Sequence, residues 1–269
     1  MLWTKNSGLI ILFTFFTLIN NFFTGDFIEV LAPMAGITDG NFCLKMASYG
    51  FDMVTLGGYN LDEKTIAAGC SIIQRGRQEF DITEENVVPS IKKEADIIKN
   101  SWNGIVSVNL RSVSFKPIVE ISKLPEIDVV EINAHCRQPE ITEIGCGQAL
   151  LYDTKKLYSF TKNVVEKAES KVSVKIRANV QNVDDIEVSK AVEKAGADYL
   201  HVDAMKPGYN HADYSIITKI KENTEIFLIG NNSIHDLKSA RDMISAGADG
   251  ISIARAALNG SVPFDLSQV

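Results

Sequence analysis

The sequence predicts an α/β protein, a (β/α)8 TIM barrel built as a single domain. Three observations carry that prediction. From residue 27 onward, short β-rich apolar runs alternate with longer amphipathic stretches, the rhythm of βαβ units on a parallel sheet. Eight such runs fit into 269 residues, a length that barrels of this kind routinely fill as one domain. Polar residues gather at the C-terminal ends of the runs, where a barrel keeps its chemistry.

The elements follow in order. IEVLA (28–32) opens the barrel, DMVTL (52–56) follows, and residues 57–86 are long and polar enough to predict an excursion over the second strand. IVSVNL (105–110) and DVVEIN (128–133) come next, as continuously apolar as parallel strands covered on both faces should be. Residues 153–168 place Leu157, Phe160, Val164 and Val165 on one helical face, with Asp153 or Thr154 as N-cap. VSVKIR (172–177) is followed by a helix over 184–195, which Gly196 ends. After DYLHVD (198–203) and EIFLIG (225–230), a helix over 233–246 ends at Gly247 and leads into GISIA (250–254). Two of these units share an AGAD turn from helix to strand, whose glycine can take the left-handed backbone the turn needs. About fifteen residues follow the eighth strand, too few for an appended domain.

Composition narrows the class. The chain is 45% hydrophobic and 23% charged, ordinary values for a globular protein, and its net charge of −7 argues against a dedicated nucleic-acid surface. Cys43, Cys70, Cys136 and Cys146 form neither a CxxC pair nor a zinc spacing, so free thiols, no metal and a cytoplasmic setting are expected. Residues 1–26 form an apolar extension. Its core, 9–23, is shorter than a spanning helix and broken by Asn20 and Asn21, which leaves a weak signal or anchor, a packed extension, or a misassigned start. No membrane role is expected, and residues 27–269 are the barrel.

The strand ends carry a recognisable set of motifs. LAPMAGITDGNF (31–42) resembles the opening LAPMAGVTD of the dihydrouridine synthases, and EINAHCRQPEITEIGCGQALL (131–151) resembles their DINxGCP loop. VSVKIR, YLHVDA, LIGNNSI and ISIARAAL are similar, in order, to that family's VKxR, HxR, GNGDI and IGRGAL elements. The similarity runs from residue 28 to about 259. The dihydroorotate and dihydropyrimidine dehydrogenases resemble it more distantly.

The resemblance implies an FMN-dependent oxidoreductase that reduces the 5,6 double bond of a uracil-type ring, with NADPH or NADH as electron donor. Pro33, Met34 and Ala35 would floor the flavin ring. Asn109, at the family's Gln position, would pair with its polar edge, and Lys175 would stabilise the reduced ring's negative charge. Gly230, Asn231, Ala254 and Arg255 would hold the phosphate at loops seven and eight, and His201 the phosphate side or the substrate. The chain has ARAA where the family has GRGA. Asn133 and Arg177 would bind substrate. Cys136 would be the general acid that protonates carbon 5, although His135 replaces the family's Gly and Arg137 its Pro. Cys146 reads as structural. The substrate is uridine in tRNA or a free pyrimidine-like small molecule. A flavin-binding barrel without catalysis is the alternative outside enzymes.

Overall fold

The computed structural model describes residues 27–269. Its eight parallel strands are β1 (Ile28–Leu31), β2 (Met53–Asn60), β3 (Ile105–Arg111), β4 (Val129–Ala134), β5 (Lys171–Arg177), β6 (Tyr199–Asp203), β7 (Phe227–Asn231) and β8 (Gly250–Ile253). Each pairs with the next, and β8 returns to β1 in the register Ile28 to Gly250, closing the barrel. All eight sequence runs are strands.

The outer layer holds α1 (Gly40–Ala47), α2 (Glu63–Gln74), α3 (Glu84–Lys99), α4 (Phe115–Ser122), a short α5 (Pro139–Thr142), α6 (Thr154–Val165), α7 (Asp185–Lys194), α8 (Tyr214–Asn223) and α9 (Leu237–Ser245). One large cluster of aliphatic side chains fills the space between strands and helices. A second, smaller cluster consists of strand residues only, Ile28, Val30, Met53, Val129, Tyr199 and Ile229, near the strand starts.

The N-terminal end of the barrel has a repeated polar device. The carboxylate of Asp52 accepts from the Glu29 N–H, Asp128 from Val106, Asp198 from Val172 and Asp249 from Leu228. Each Asp stands just before an even-numbered strand and caps the odd-numbered strand before it. Lys99 closes on Asp128 at 2.5 Å and Lys221 on Asp249 at 2.8 Å. The glycines of both AGAD turns, Gly196 and Gly247, have φ of +89° and +104°, as the turn requires.

Two elements differ from the sequence reading. Residues 57–86 are not one excursion: β2 continues to Asn60, and α2 follows at once. Asp62 and Thr65 form a reciprocal capping box there, and Thr65, Ala68, Gly69 and Ile72 recur at helical spacing on the buried face. Only the loop between α2 and α3 is irregular, and it packs on the turn after β1, with Glu79 against Gly36. The last helix starts later than residue 233, because Asn232 and Ser233 have φ of 103° and 54°, outside helical space. Asp236, in a second capping box with Ser239, starts α9 instead. Asp153 is the N-cap of α6, accepting from the Lys156 N–H.

The apolar extension, residues 1–26, lies outside the described residues. Among the described residues no helix is long and apolar enough to cross a membrane. None of their His, Cys, Asp and Glu side chains group as a metal site.

Candidate active site

Alternate residues of a strand point to one face, so odd-numbered positions on β3 to β6 converge inside the barrel. The register sets Asn109 beside Glu131, Glu131 beside Ser173, Asn133 beside Lys175, Lys175 beside His201, and Arg177 beside Asp203. All except Arg177 are buried.

One hydrogen-bond chain joins most of them. Asn133 Nδ2 donates to Asn109 Oδ1 at 2.8 Å, and Asn109 Nδ2 donates to Glu131 Oε1 at 2.7 Å. Glu131 Oε2 accepts from Ser173 at 3.0 Å and faces His201 Nδ1 at 2.8 Å. His201 Nε2 lies 3.1 Å from Lys175 Nζ and 2.5 Å from Ser252 Oγ. Burial and the Lys175 ammonium push His201 down to about 4, so its ring is neutral near pH 7. Burial alone would raise Glu131, but His201, Lys175 and Asn109 hold it down to about 2. A neutral ring beside a carboxylate donates from Nδ1, which leaves Nε2 to accept from Lys175 and Ser252. Burial also lowers Lys175, against the pull of Glu131 and Asp203.

Above this floor sits the β4 loop. Asn133 Oδ1 accepts from the N–H groups of His135 and Cys136 at 3.1 and 2.8 Å, and the Cys136 carbonyl accepts from Gln148 at 2.8 Å. Gly147 has φ +59°, and a Cβ there would stand 2.4 Å from the Cys136 carbonyl, so glycine permits the close packing. Cys136 is half-buried, while Cys146 is buried among Ala68, Ile72 and Ile141. Arg111 Nη1 approaches Cys136 Sγ at 3.8 Å, and the same guanidinium is ion-paired with Glu79.

The opposite wall is His135, Arg177 and Asp203. Asp203 Oδ2 lies 2.6 Å from His135 Nε2 and 3.0 Å from Arg177 Nη2, and Oδ1 accepts from Asn232 at 2.6 Å. Burial opposes the Asp203 charge, but His135, Arg177 and Asn232 outweigh it and keep the carboxyl far below its usual range. Burial lowers His135 against the pull of Asp203. Arg177 Nε is buried without a partner.

The remaining sequence-derived residues frame the mouth. Pro33, Met34 and Ala35 are half-buried in a turn that Thr38 closes, accepting from the Met34 N–H at 2.9 Å and donating to the Gly57 carbonyl at 2.6 Å. Gly230 is buried, and a Cβ there would stand 2.5 Å from the Met243 side chain of α9. Asn231 donates to the Ser252 carbonyl at 2.8 Å. Ala254 is half-buried, and Arg255 is exposed at the start of a 3-10 turn.

Glu131, Arg111, Glu79 and Ser252 are missing from the sequence reading. A signal existed for Glu131, since a charge inside an otherwise apolar parallel strand is buried on both sides and needs a partner, whereas Arg111 falls just past the run read as the third strand. Glu79 and Ser252 carried no comparable mark.

Known proteins are similar to this chain in sequence and fold. A family model described as dihydrouridine synthase matches residues 30–266. An uncharacterized protein of Methanocaldococcus jannaschii is 38% identical over 244 residues, covering 87% of this chain and 91% of that one. A probable tRNA-dihydrouridine synthase of Helicobacter pylori is 26% identical, covering 85% of this chain but 66% of its own length. The tRNA-dihydrouridine(16) synthase of Escherichia coli K12 is 33% identical over 138 residues, 48% of this chain and 44% of that enzyme. Among solved structures, a FabK mutant from Thermotoga maritima shares the fold with a TM-score of 0.52 at 13% identity, covering 86% of this chain and 62% of that one. By the family model, which spans nearly its whole barrel, this chain belongs to the dihydrouridine synthase family.

Proposed function

We propose that this protein is an FMN-dependent oxidoreductase that reduces the 5,6 double bond of a uracil-type ring, with uridine in tRNA as first substrate and NADPH or NADH as electron donor. The observation that carries the reading is Lys175, a buried amine fixed on His201 and in register beside Asn133, whose side chain holds the Cys136 loop. The donor set fits FMN. Lys175 spends one of its three N–H groups on His201. Arg177 Nε is an orphaned buried donor, which an acceptor on a ligand would satisfy. The left-handed backbone at Asn232 and Ser233 suits a turn that turns N–H groups toward a phosphate, and Arg255 adds a charge nearby.

FMN, when bound and reduced, would supply the hydride that carbon 6 of the ring receives. The protein does the rest. Lys175 would hold the flavin's negative charge, the β1 turn would floor its ring, and Asn133 holds the Cys136 loop through two N–H groups. Cys136 then gives its thiol proton to carbon 5.

A second reading, reduction of a free pyrimidine, has its own support. Asp203 stands where the resembled HxR element has Arg, and it pairs with Arg177. The mouth thereby exchanges a cation for an anion, which disfavours a phosphate backbone there. Visible absorption of the purified protein tests the cofactor: a yellow protein releasing FMN is expected, and a colourless one that takes up no added FMN would sink the reading. Product formation from unmodified tRNA and from free uracil or uridine then separates the two substrates.

A further inference from the structure

We propose that Arg111 is the positioning residue for Cys136, the group that receives the negative charge left on sulfur when the thiol gives up its proton. The proposal rests on the general-acid role of Cys136 and adds a residue to it.

Arg111 ends β3, and its whole side chain is buried. Nη2 donates to the Gly58 carbonyl at 2.9 Å and pairs with the Glu79 carboxylate, so the guanidinium has no freedom to swing away. Nη1 donates to Glu79 Oε1 at 3.3 Å and also reaches Cys136 Sγ at 3.8 Å, and Nε is buried with no partner. Both partners of the Arg111–Glu79 pair are almost fully buried. Such pairs are poor stabilisers: desolvating two charges offsets most of their attraction, and apolar replacements often leave a protein equally stable. Stability alone therefore does not account for a lone arginine at this strand end, whereas a thiolate beside it does. Burial works against the guanidinium charge, but the Cys136 sulfur and Glu79 outweigh it.

The step balances without a further reactant. The Cys136 S–H bond breaks, a C–H bond forms at carbon 5, and the electron pair stays on sulfur. The enolate charge of the ring thus becomes a thiolate charge, which Arg111 Nη1 meets with a directed N–H donor. Water at the half-exposed sulfur restores the proton. The other titratable groups coupled to this thiol are Arg177 and Cys146, and His135 and Arg137 flank it in the chain. Arg177 is already engaged by Asp203, and Cys146, buried in the cluster against which Cys136 packs, is pushed by burial up to about 11 and stays a neutral thiol.

Alkylation by iodoacetamide tests this without turnover, on the full-length, flavin-loaded protein. Modification of Cys136 is followed by peptide mass spectrometry, with exposed Cys70 as internal reference. Arg111→Met should slow Cys136 alkylation about tenfold near pH 7 and leave it unchanged near pH 10, where thiols ionise unaided. Arg111→Lys should stay near the wild-type rate. Glu79→Gln, which frees the guanidinium from its carboxylate, should move the rate at pH 7 the other way. Should Arg111→Met not fold, the double variant with Glu79→Gln removes both charges together and should show a smaller slowing in the same direction, since the nearer charge to the sulfur is the guanidinium. An unchanged rate at pH 7, or an equal fall at both pH values, would overturn the proposal, the latter because it reports access rather than charge. Loss of turnover in Cys136→Ala tests the general-acid reading separately, so either can fail alone.

Discussion

The two ends of this barrel treat polar groups in opposite ways. At the N-terminal end, four aspartates repeat one device, each capping the strand before its own, and a small apolar cluster sits among the strand starts. At the C-terminal end, nothing repeats. Carboxylates, amides and cations from β3 to β6 interlock in one asymmetric network, and donors such as Arg111 Nε and Arg177 Nε are left without partners. A fold needs the first kind of end, because unsatisfied strand starts would weaken every ladder. A site needs the second, since a donor already satisfied has nothing to offer a ligand.

Substitutions at the two ends should separate cleanly. The largest effect is expected for Cys136→Ala, which should lower product formation by roughly 10²–10⁴-fold with flavin content intact, whereas Cys146→Ala should lower the melting temperature and spare turnover. Activity equal to wild type in Cys136→Ala would move the proton donor elsewhere. Next, Lys175→Ala should weaken flavin binding or slow its reduction by roughly 10–100-fold, the worth of a hydrogen bond to a charged group. Flavin titration and stopped-flow reduction measure both.

Acid should act on the upper end first. His201 is held at about 4 against an unfolded value near 6.5, so the unfolded chain binds the extra proton between those values. Stability is complete above pH 6.5 and falls toward pH 4, by an amount on the order of 3 kcal/mol. His201→Asn should flatten that slope in denaturant titrations. The lower end has the opposite dependence: burial, and then Asp52, raise Glu29 to about 8, so its contribution is complete below about pH 4.5 and is lost as pH rises through 8. Glu29→Gln should remove that alkaline loss. The smallest effect is expected for Asp249→Asn, which weakens a strand cap and the Lys221 pair: about 1–2 kcal/mol of stability, with flavin and turnover unchanged. Loss of flavin in that variant would break the contrast between the ends.

The strands and the helix-to-strand turns were legible in the sequence, because both rest on local signals, whereas the repeated aspartate caps were not read from it. Apolar runs of strand length, AGAD turns and the cap at Asp153 need no knowledge of distant contacts. It hid α2, whose small, polar-looking EKTIAAGCSIIQ buries Thr, Ala and Gly rather than large aliphatics. At the site, the motif residues were visible one by one, including Cys136, Asn133, Lys175 and His201. Their wiring was not: that Glu131 organises the floor, or that Glu79 from the loop before α3 reaches Arg111, depends on closure of the barrel. The replacements at His135 and Asp203 looked unrelated in sequence, yet their side chains meet at 2.6 Å.

The floor network also has a direction. From one side, the Cys136 N–H donates to Asn133, Asn133 to Asn109, and Asn109 to Glu131; from the other, Lys175 donates to His201 and His201 to Glu131. Two relays of donors thus run downhill into a single sink. Neither relay can reverse while Glu131 stays ionised, since a carboxylate only accepts. The loop that carries the Cys136 thiol and the Lys175 ammonium are therefore oriented by the same negative charge, and a shift at one is felt at the other through that carboxylate.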